Sequence, residues 1–396
     1  MDKKRVLSLS MRMVYFLLHF IATIFINRGL TTALKGEYAY IINIVSVLAI
    51  VGGMGLDLLY LEYIKKYGEK INGFFLGLTY IFSSLFLIIA FVILILNRQC
   101  SLFWVLLLTS AHILYTNVSM FACVKDISSR NLILLIIQFL YVSVLFGLYE
   151  FKVSNVETLL LLYFFNDLIV SFILIIKNKF KLNMKFISCQ KNKSEFIIKV
   201  FILGIKAMLI SLLIAFNYNL DIIMLKKLGV ELDLIGIYSV AVTLSNIVLL
   251  IPDAFKELAL GVVVQKNAAE KIRTYLRINV IFLVVTSIGF ILLGKWFIAS
   301  FYGKAYISAY YLTLILFIGD LFICVYKVIH PLLIADGKQI TVLVYLGIAV
   351  IINFVLNMIC IRLYGVYGAA MSSVGSYMAT GILFYQNFYK NYIKNS

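Results

Sequence analysis

The feature that most constrains this chain is repetition: stretches of about twenty apolar residues recur from end to end, separated by short polar connections. A helix needs ~20 mostly apolar residues to cross the hydrocarbon core of a bilayer, where every backbone hydrogen bond must be satisfied internally. Measured that way, twelve spans emerge, at 11–27, 38–62, 73–96, 101–122, 131–149, 156–176, 197–224, 233–251, 277–299, 308–334, 340–361 and 366–389. Composition excludes the soluble alternative. Hydrophobic residues make up 63% of the 396 positions and charged ones 13%, against about 45–50% apolar in ordinary soluble domains. The N-terminal MDKKR and its apolar run resemble a signal peptide, but no small-residue cleavage site follows, so the run is expected to stay as the first span.

Twelve spans put both termini on one side. With the termini cytoplasmic, the inside segments hold 24 of the 35 Lys and Arg, the outside ones nine, and Lys206 and Lys327 lie within spans. That excess points the termini inward, and it leaves Trp104 and Trp296 at the outer interface as an aromatic belt. The same bias accounts for most of the formal net charge of +17, so no nucleic-acid partner is implied.

The longest polar connection, KNKFKLNMKFISCQKNKSE from Lys177, divides the spans into two sets of six. The expected organisation is an N-terminal six-helix bundle over 1–176, a basic cytoplasmic linker over 177–196 and a C-terminal six-helix bundle over 197–396. An internal echo supports duplication: L-K-G-E-Y-A at 34–39 and L-I-G-I-Y-S at 234–239 place Leu, Gly and Tyr at one offset, each just before the second span of its half. With an even number of spans per half, the repeats would be parallel, related by an axis along the membrane normal.

Ionisable residues inside the spans are the candidate functional groups, because each costs ~2.5–3.5 kcal/mol at a helix centre facing lipid. Asp320, Cys324, Lys327 and Pro331 share one helical stripe with His330 at its edge. Asp320 and Lys327 either pair with neighbouring helices or line a cavity. Span 1 draws a polar stripe of Arg12, Tyr15, His19, Thr23 and Asn27, and span 7 one of Lys199, Lys206 and Asn217 with Asp221 somewhat off it. Two first helices of this kind suggest bundles meeting across a wet cleft. Asp57 follows the flexible GGMG at 52–55, and Asp167 sits deeper, in FFND. Asp167 is the best candidate for ion coupling, with Asp320, Asp57 and Asp221 behind it.

Catalytic signatures are missing. There are three histidines and no Walker, HExxH, GxSxG or paired-Cys pattern, so no cofactor, metal or enzyme chemistry is implied. The five cysteines are scattered without metal or disulfide spacing and read as packing residues.

Several segments resemble one family. NFVLNMICIRLYGVYGAAMSSVGSY (353–377) looks like the N-x3-N…YG-x-x-GAA…SY segment of bacterial polysaccharide-export flippases, the O-antigen (Wzx-type) branch of the multidrug/oligosaccharidyl-lipid/polysaccharide (MOP) superfamily. LDIIMLKKLGVELDLIGIYSVAVTLSNIVLLIP from Leu220, INRGLTTALKGEYAYI from Ile26 and FYGKAYISAYYLTLIL resemble further stretches of that family, in order across both halves. The stretch ALGVVVQKNAAEK departs from it, lacking an expected proline.

The resemblance implies a MATE-like fold of two six-helix bundles in the bacterial inner membrane. It also implies translocation of an undecaprenyl-pyrophosphate-linked oligosaccharide by alternating access, with a polysaccharide polymerase and chain-length proteins as partners alongside membrane lipids. Arg28 and Lys206 are the best candidates to meet the pyrophosphate, with Asn217, His19 and Lys327 as further substrate-binding candidates. The alternatives are a multidrug cation antiporter of the same fold, disfavoured by the intramembrane lysines, and a polysaccharide polymerase, disfavoured by the short outer connections.

Overall fold

The computed structural model describes residues 3–97, 100–153, 155–182, 192–262 and 268–394, and these residues are helical throughout, without strands. The long helices are α1 Lys3–Gly29, α2 Thr32–Gly53, α3 Leu56–Tyr67, α4 Asn72–Asn97, α5 Cys100–Lys125, α6 Ile127–Glu150 and α7 Val156–Asn178. They continue with α8 Lys193–Lys227, α9 Leu232–Val248, α10 Leu250–Val262, α11 Ala268–Phe301, α12 Ala309–Ala335, α13 Gln339–Tyr364 and α14 Val366–Phe388. Each of the twelve expected spans has its helix. Spans 2 and 8 are each built from two, α2 with α3 and α9 with α10. Among the described residues ten stretches are long and apolar enough to cross a membrane; one of them, Thr32–Leu96, holds both the second and third spans, and the serine- and glycine-bearing α14 is not among the ten. Residues 183–191 of the linker expected over 177–196 lie outside the described residues, as does the centre of ALGVVVQKNAAEK.

Helix boundaries follow local chemistry. Asp126 caps α6, its Oδ1 accepting from the backbone N–H of Ser128 at 3.1 Å and Ser129 at 3.2 Å, and Asn155 caps α7 through the Glu157 N–H at 3.0 Å. Gly365, at φ +56°, makes the one-residue reversal between α13 and α14. Gly368 then lets α14 start against the Cys360 carbonyl, where a Cβ would collide.

The residues fall into two compact units, one of 1–30 with 41–212, the other of 31–40 with 213–396. The first has an aromatic core in which Tyr60, Phe75 and Phe121 pack together, with Tyr60 and Phe121 ring centroids 4.3 Å apart, and Phe74 and Phe196 beside them. Its span 2 breaks at Met54 and Gly55, both at positive φ. GGMG is here a tight joint rather than the flexible element its glycines suggest. A Cβ on Gly55 would lie 2.6 Å from the Gly204 carbonyl oxygen, and one on Gly204 2.7 Å from that of Met54.

The second unit has its core around Ile323, Tyr326, Leu333, Phe384 and Phe388 on α12 and α14. It also contains the two echo segments, packed on each other. A Cβ on Gly36 would strike the Leu232 carbonyl oxygen and one on Gly236 the Thr32 carbonyl oxygen, with the partner glycine's nitrogen 3.0 and 3.1 Å away. Each contact is the other shifted by the same offset, the reciprocity that a local two-fold relation requires. Small residues at such a crossing let backbones approach within van der Waals range.

The outer faces are apolar. Ile88, Ile95 and Leu96 on α4, Phe172 and Ile176 on α7, and Ile281 and Leu292 on α11 are exposed. A water-soluble domain would not present so much aliphatic surface. In a bilayer this surface is solvated by lipid.

Candidate functional site

In the second unit, polar chemistry gathers around Asp221 on α8, which is 3% exposed. Its Oδ2 accepts from Tyr238 Oη of α9 at 2.9 Å and from Ser373 Oγ of α14; its Oδ1 accepts from Asn357 Nδ2 of α13 at 2.7 Å. Asn357 also donates to Asn353 Oδ1 at 2.8 Å, and Asn357 Oδ1 is buried without a partner among the described residues. One helical turn before Asp221, Asn217 accepts from Ser376 Oγ at 2.5 Å. Among the described residues no basic side chain pairs with Asp221. A carboxylate sunk this deep, held only by neutral donors, calls for a proton or a bound cation to balance it.

Two other ionisable groups of this unit are engaged otherwise. Asp320, fully buried on α12, accepts from Ser245 Oγ of α9 at 2.8 and 3.0 Å. Lys327, two turns on, donates to Asp253 Oδ2 of α10 at 2.8 Å, and its ammonium lies 5.8 Å from the Tyr218 ring. The sequence left pairing or cavity lining open for these two residues. Lys327 is paired, and Asp320 is held by a serine. Among the described residues neither ring nitrogen of His330 has a hydrogen-bond partner.

In the first unit, Asp167 of α7 is 2% exposed, with its Oδ2 2.8 Å from His112 Nδ1 of α5; Tyr163 Oη lies 3.1 Å from the same nitrogen. Among the first-unit residues singled out in the sequence, His19 stacks on Tyr15 at 6.4 Å and is exposed, and so are Arg28 and Lys206. Asp57 is half-buried in the first turn of α3, where a helix N-terminus favours negative charge. The polar stripe of span 1 therefore does not share one environment, since Asn27 at its far end is buried.

The shells around the acids escaped the sequence reading. Tyr238, Ser373 and His112 come from other helices, and although Tyr238 belongs to the echo and Ser373 to the 353–377 motif, nothing in the sequence ties them to these acids. A trace was legible in N-x3-N: Asn353 and Asn357, one turn apart, share a helix face, and both are buried. Among the described residues no group of three His, Cys, Asp or Glu is arranged to hold a metal.

Some dozen long apolar helices, with Asp167, Asp221 and Asp320 buried among them, make a multi-pass membrane fold. No protein-family model matches the chain, and no curated protein does. Solved structures do. The lipid II flippase MurJ, in an inward closed conformation, matches with a TM-score of 0.72 at 14% identity, over 97% of this chain and 87% of that one. A multidrug resistance MATE family transporter of the MOP superfamily, inward-facing, matches at 0.68 and 11% identity, over 98% of both chains. The Vibrio cholerae MATE transporter VcmN, in a point-mutant form, matches at 0.62 and 12% identity, over 98% of this chain and 97% of that one. The protein has the fold shared by MurJ and the MATE transporters. These neighbours are flippases and transporters, not enzymes.

Proposed function

We propose that the protein is a flippase that carries an undecaprenyl-pyrophosphate-linked oligosaccharide, an O-antigen or similar repeat unit, across the bacterial inner membrane by alternating access. The supporting observation is one of polarity. The span carboxylates Asp167, Asp221 and Asp320 are buried, whereas the cationic Arg28 and Lys206 are exposed. Three buried span acids with an exposed Arg28 and Lys206 suit an anionic headgroup better than a cationic drug. The resemblance of its motifs to polysaccharide-export flippases and a fold shared with a lipid II flippase support the same reading. Arg28 and Lys206 meet the pyrophosphate, His19 and Asn217 contribute polar contacts, and Lys327, tied to Asp253, contributes least.

Ion coupling is assigned first to Asp221, whose oxygen-rich shell suits a proton or a hard monovalent cation. Asp167 shares its site with His112, 2.8 Å away, and ranks second. Asp320 and Asp57 follow. A polymerase and chain-length proteins act downstream on the delivered repeat unit.

The test is translocation in proteoliposomes loaded with a fluorescent undecaprenyl-pyrophosphate oligosaccharide, read as the fraction accessible to an outside quencher. Wild type equilibrates the lipid between leaflets and Lys206→Ala slows this severalfold. An unchanged rate removes Lys206 from the mechanism. The second reading, a multidrug antiporter, is favoured by the MATE neighbours. It predicts proton- or sodium-driven efflux of ethidium, with no movement of the lipid-linked sugar.

A further inference from the structure

One cavity of the first unit is lined by none of the residues given a role above. It measures about 190 Å³ and is lined by Arg12, Tyr15 and Phe16 of α1, Tyr115 of α5, and Arg130 and Asn131 of α6. That is about six times a water molecule's share of liquid volume, enough for a phosphate or diphosphate group and too little for a sugar chain. The N-terminal part of α1, the C-terminal part of α5 and the first turns of α6 meet there, so its residues belong to one end of the unit. Arg130 is held by two hydrogen bonds: its Nε donates to Ser119 Oγ at 2.9 Å and its Nη1 to Asn131 Oδ1 at 3.1 Å. Both partners are neutral. The Arg12 guanidinium lies 5.6 Å from the Phe16 ring, and Tyr15 and Tyr115 share the cavity wall. The nearby acid, Asp167, is held by His112.

We propose that this cavity binds a phosphate or diphosphate group between Arg12 and Arg130. Two arginines lining one space offer the forked donors that phosphate oxygens accept, and tyrosine hydroxyls on the same wall add to the donor set. Aromatic walls lower the local dielectric and strengthen those bonds. The anion is either free in solution or the headgroup of a lipid. A role as a loading subsite for the transported lipid rests on the flippase reading and on the inward orientation of α1; the anion site itself rests on neither.

The experiment uses the full chain in two preparations. Detergent-purified protein is titrated with inorganic pyrophosphate at matched ionic strength, and the melting temperature is followed. Nanodiscs of phosphatidylcholine, with and without phosphatidic acid, test the lipid source. Pyrophosphate is expected to raise the wild-type melting temperature saturably, and Arg12→Gln and Arg130→Gln each to weaken it about tenfold, the worth of one charge-assisted bond. Arg12→Lys, which keeps the charge, retains part of the effect. An arginine-dependent shift confined to phosphatidic acid nanodiscs assigns the site to a lipid headgroup.

Arg130→Gln also removes anchors to Ser119 and Asn131, so Arg12→Gln is the deciding variant, its melting without anion serving as the control for folding. If Arg12→Gln melts like wild type and responds equally to both anions, the proposal is overturned. Loss of lipid translocation with this binding intact would sink the flippase reading alone; loss of binding with translocation intact would sink only this site.

Discussion

At the scale of single residues, burial decides what each charge can do. Lys327 and Asp253 form one ion pair with unequal surroundings, the lysine side chain 9% exposed and the aspartate 44%. Removing the lysine frees a carboxylate that water can reach; removing the aspartate strands a buried ammonium. Lys327→Met is expected to change stability by no more than about 1 kcal/mol, and Asp253→Asn to cost about 3 kcal/mol. Thermal unfolding of the two variants in the same detergent checks the inequality, and equal losses would refute it. Asp221→Asn preserves the shape of its shell while removing the charge. It is expected to fold, with a loss of about 1–2 kcal/mol from weakened bonds to Tyr238 and Ser373, and to abolish the dependence of translocation on a proton or sodium gradient. Persisting gradient dependence would move coupling to Asp167.

Among the helices, glycines set the closest approaches. At the crossing of α2 with α9, Gly36 and Gly236 each face the other helix's backbone, so one added methyl forces the pair apart. Gly36→Ala or Gly236→Ala is expected to destabilise by ~1–3 kcal/mol, the usual cost of overpacking. The double variant should cost clearly less than the sum, because one separation relieves both collisions. Additive losses in melting temperature would mean that the two glycines do not share a contact. The echo between 34–39 and 234–239 was visible as three matching letters. That those letters lie on each other was not, since a repeat in sequence specifies similar units and says nothing about which faces touch. The joint at GGMG was likewise readable as a break, and only the structure shows its backbone set against Gly204.

For the whole molecule, the inward orientation of the termini is a prediction from charge. In a background with the native cysteines replaced, a cysteine at Lys304 is expected to react with a membrane-impermeant maleimide in intact cells, and one at Lys70 only after permeabilisation. The reverse pattern would invert the topology. Cysteines at positions 19 and 206, both exposed, should react with aqueous reagents if the substrate path is wet. Inert thiols there, in either preparation, would remove the water-filled route on which the transport reading depends.

The sequence by itself determined the solvent, the secondary structure and the span count, because bilayer thickness and backbone hydrogen bonding act on each twenty-residue stretch independently of the rest. It also singled out the expensive intramembrane charges, since their cost is intrinsic to the side chain. Only tertiary structure decided which charges are already satisfied. Lys327 found Asp253 more than seventy positions away, and Asp221 found Tyr238, Asn357 and Ser373 on three other helices. The anion-sized cavity between Arg12 and Arg130 arises in the same way. Their proximity comes from helix packing, and local sequence carries no trace of it.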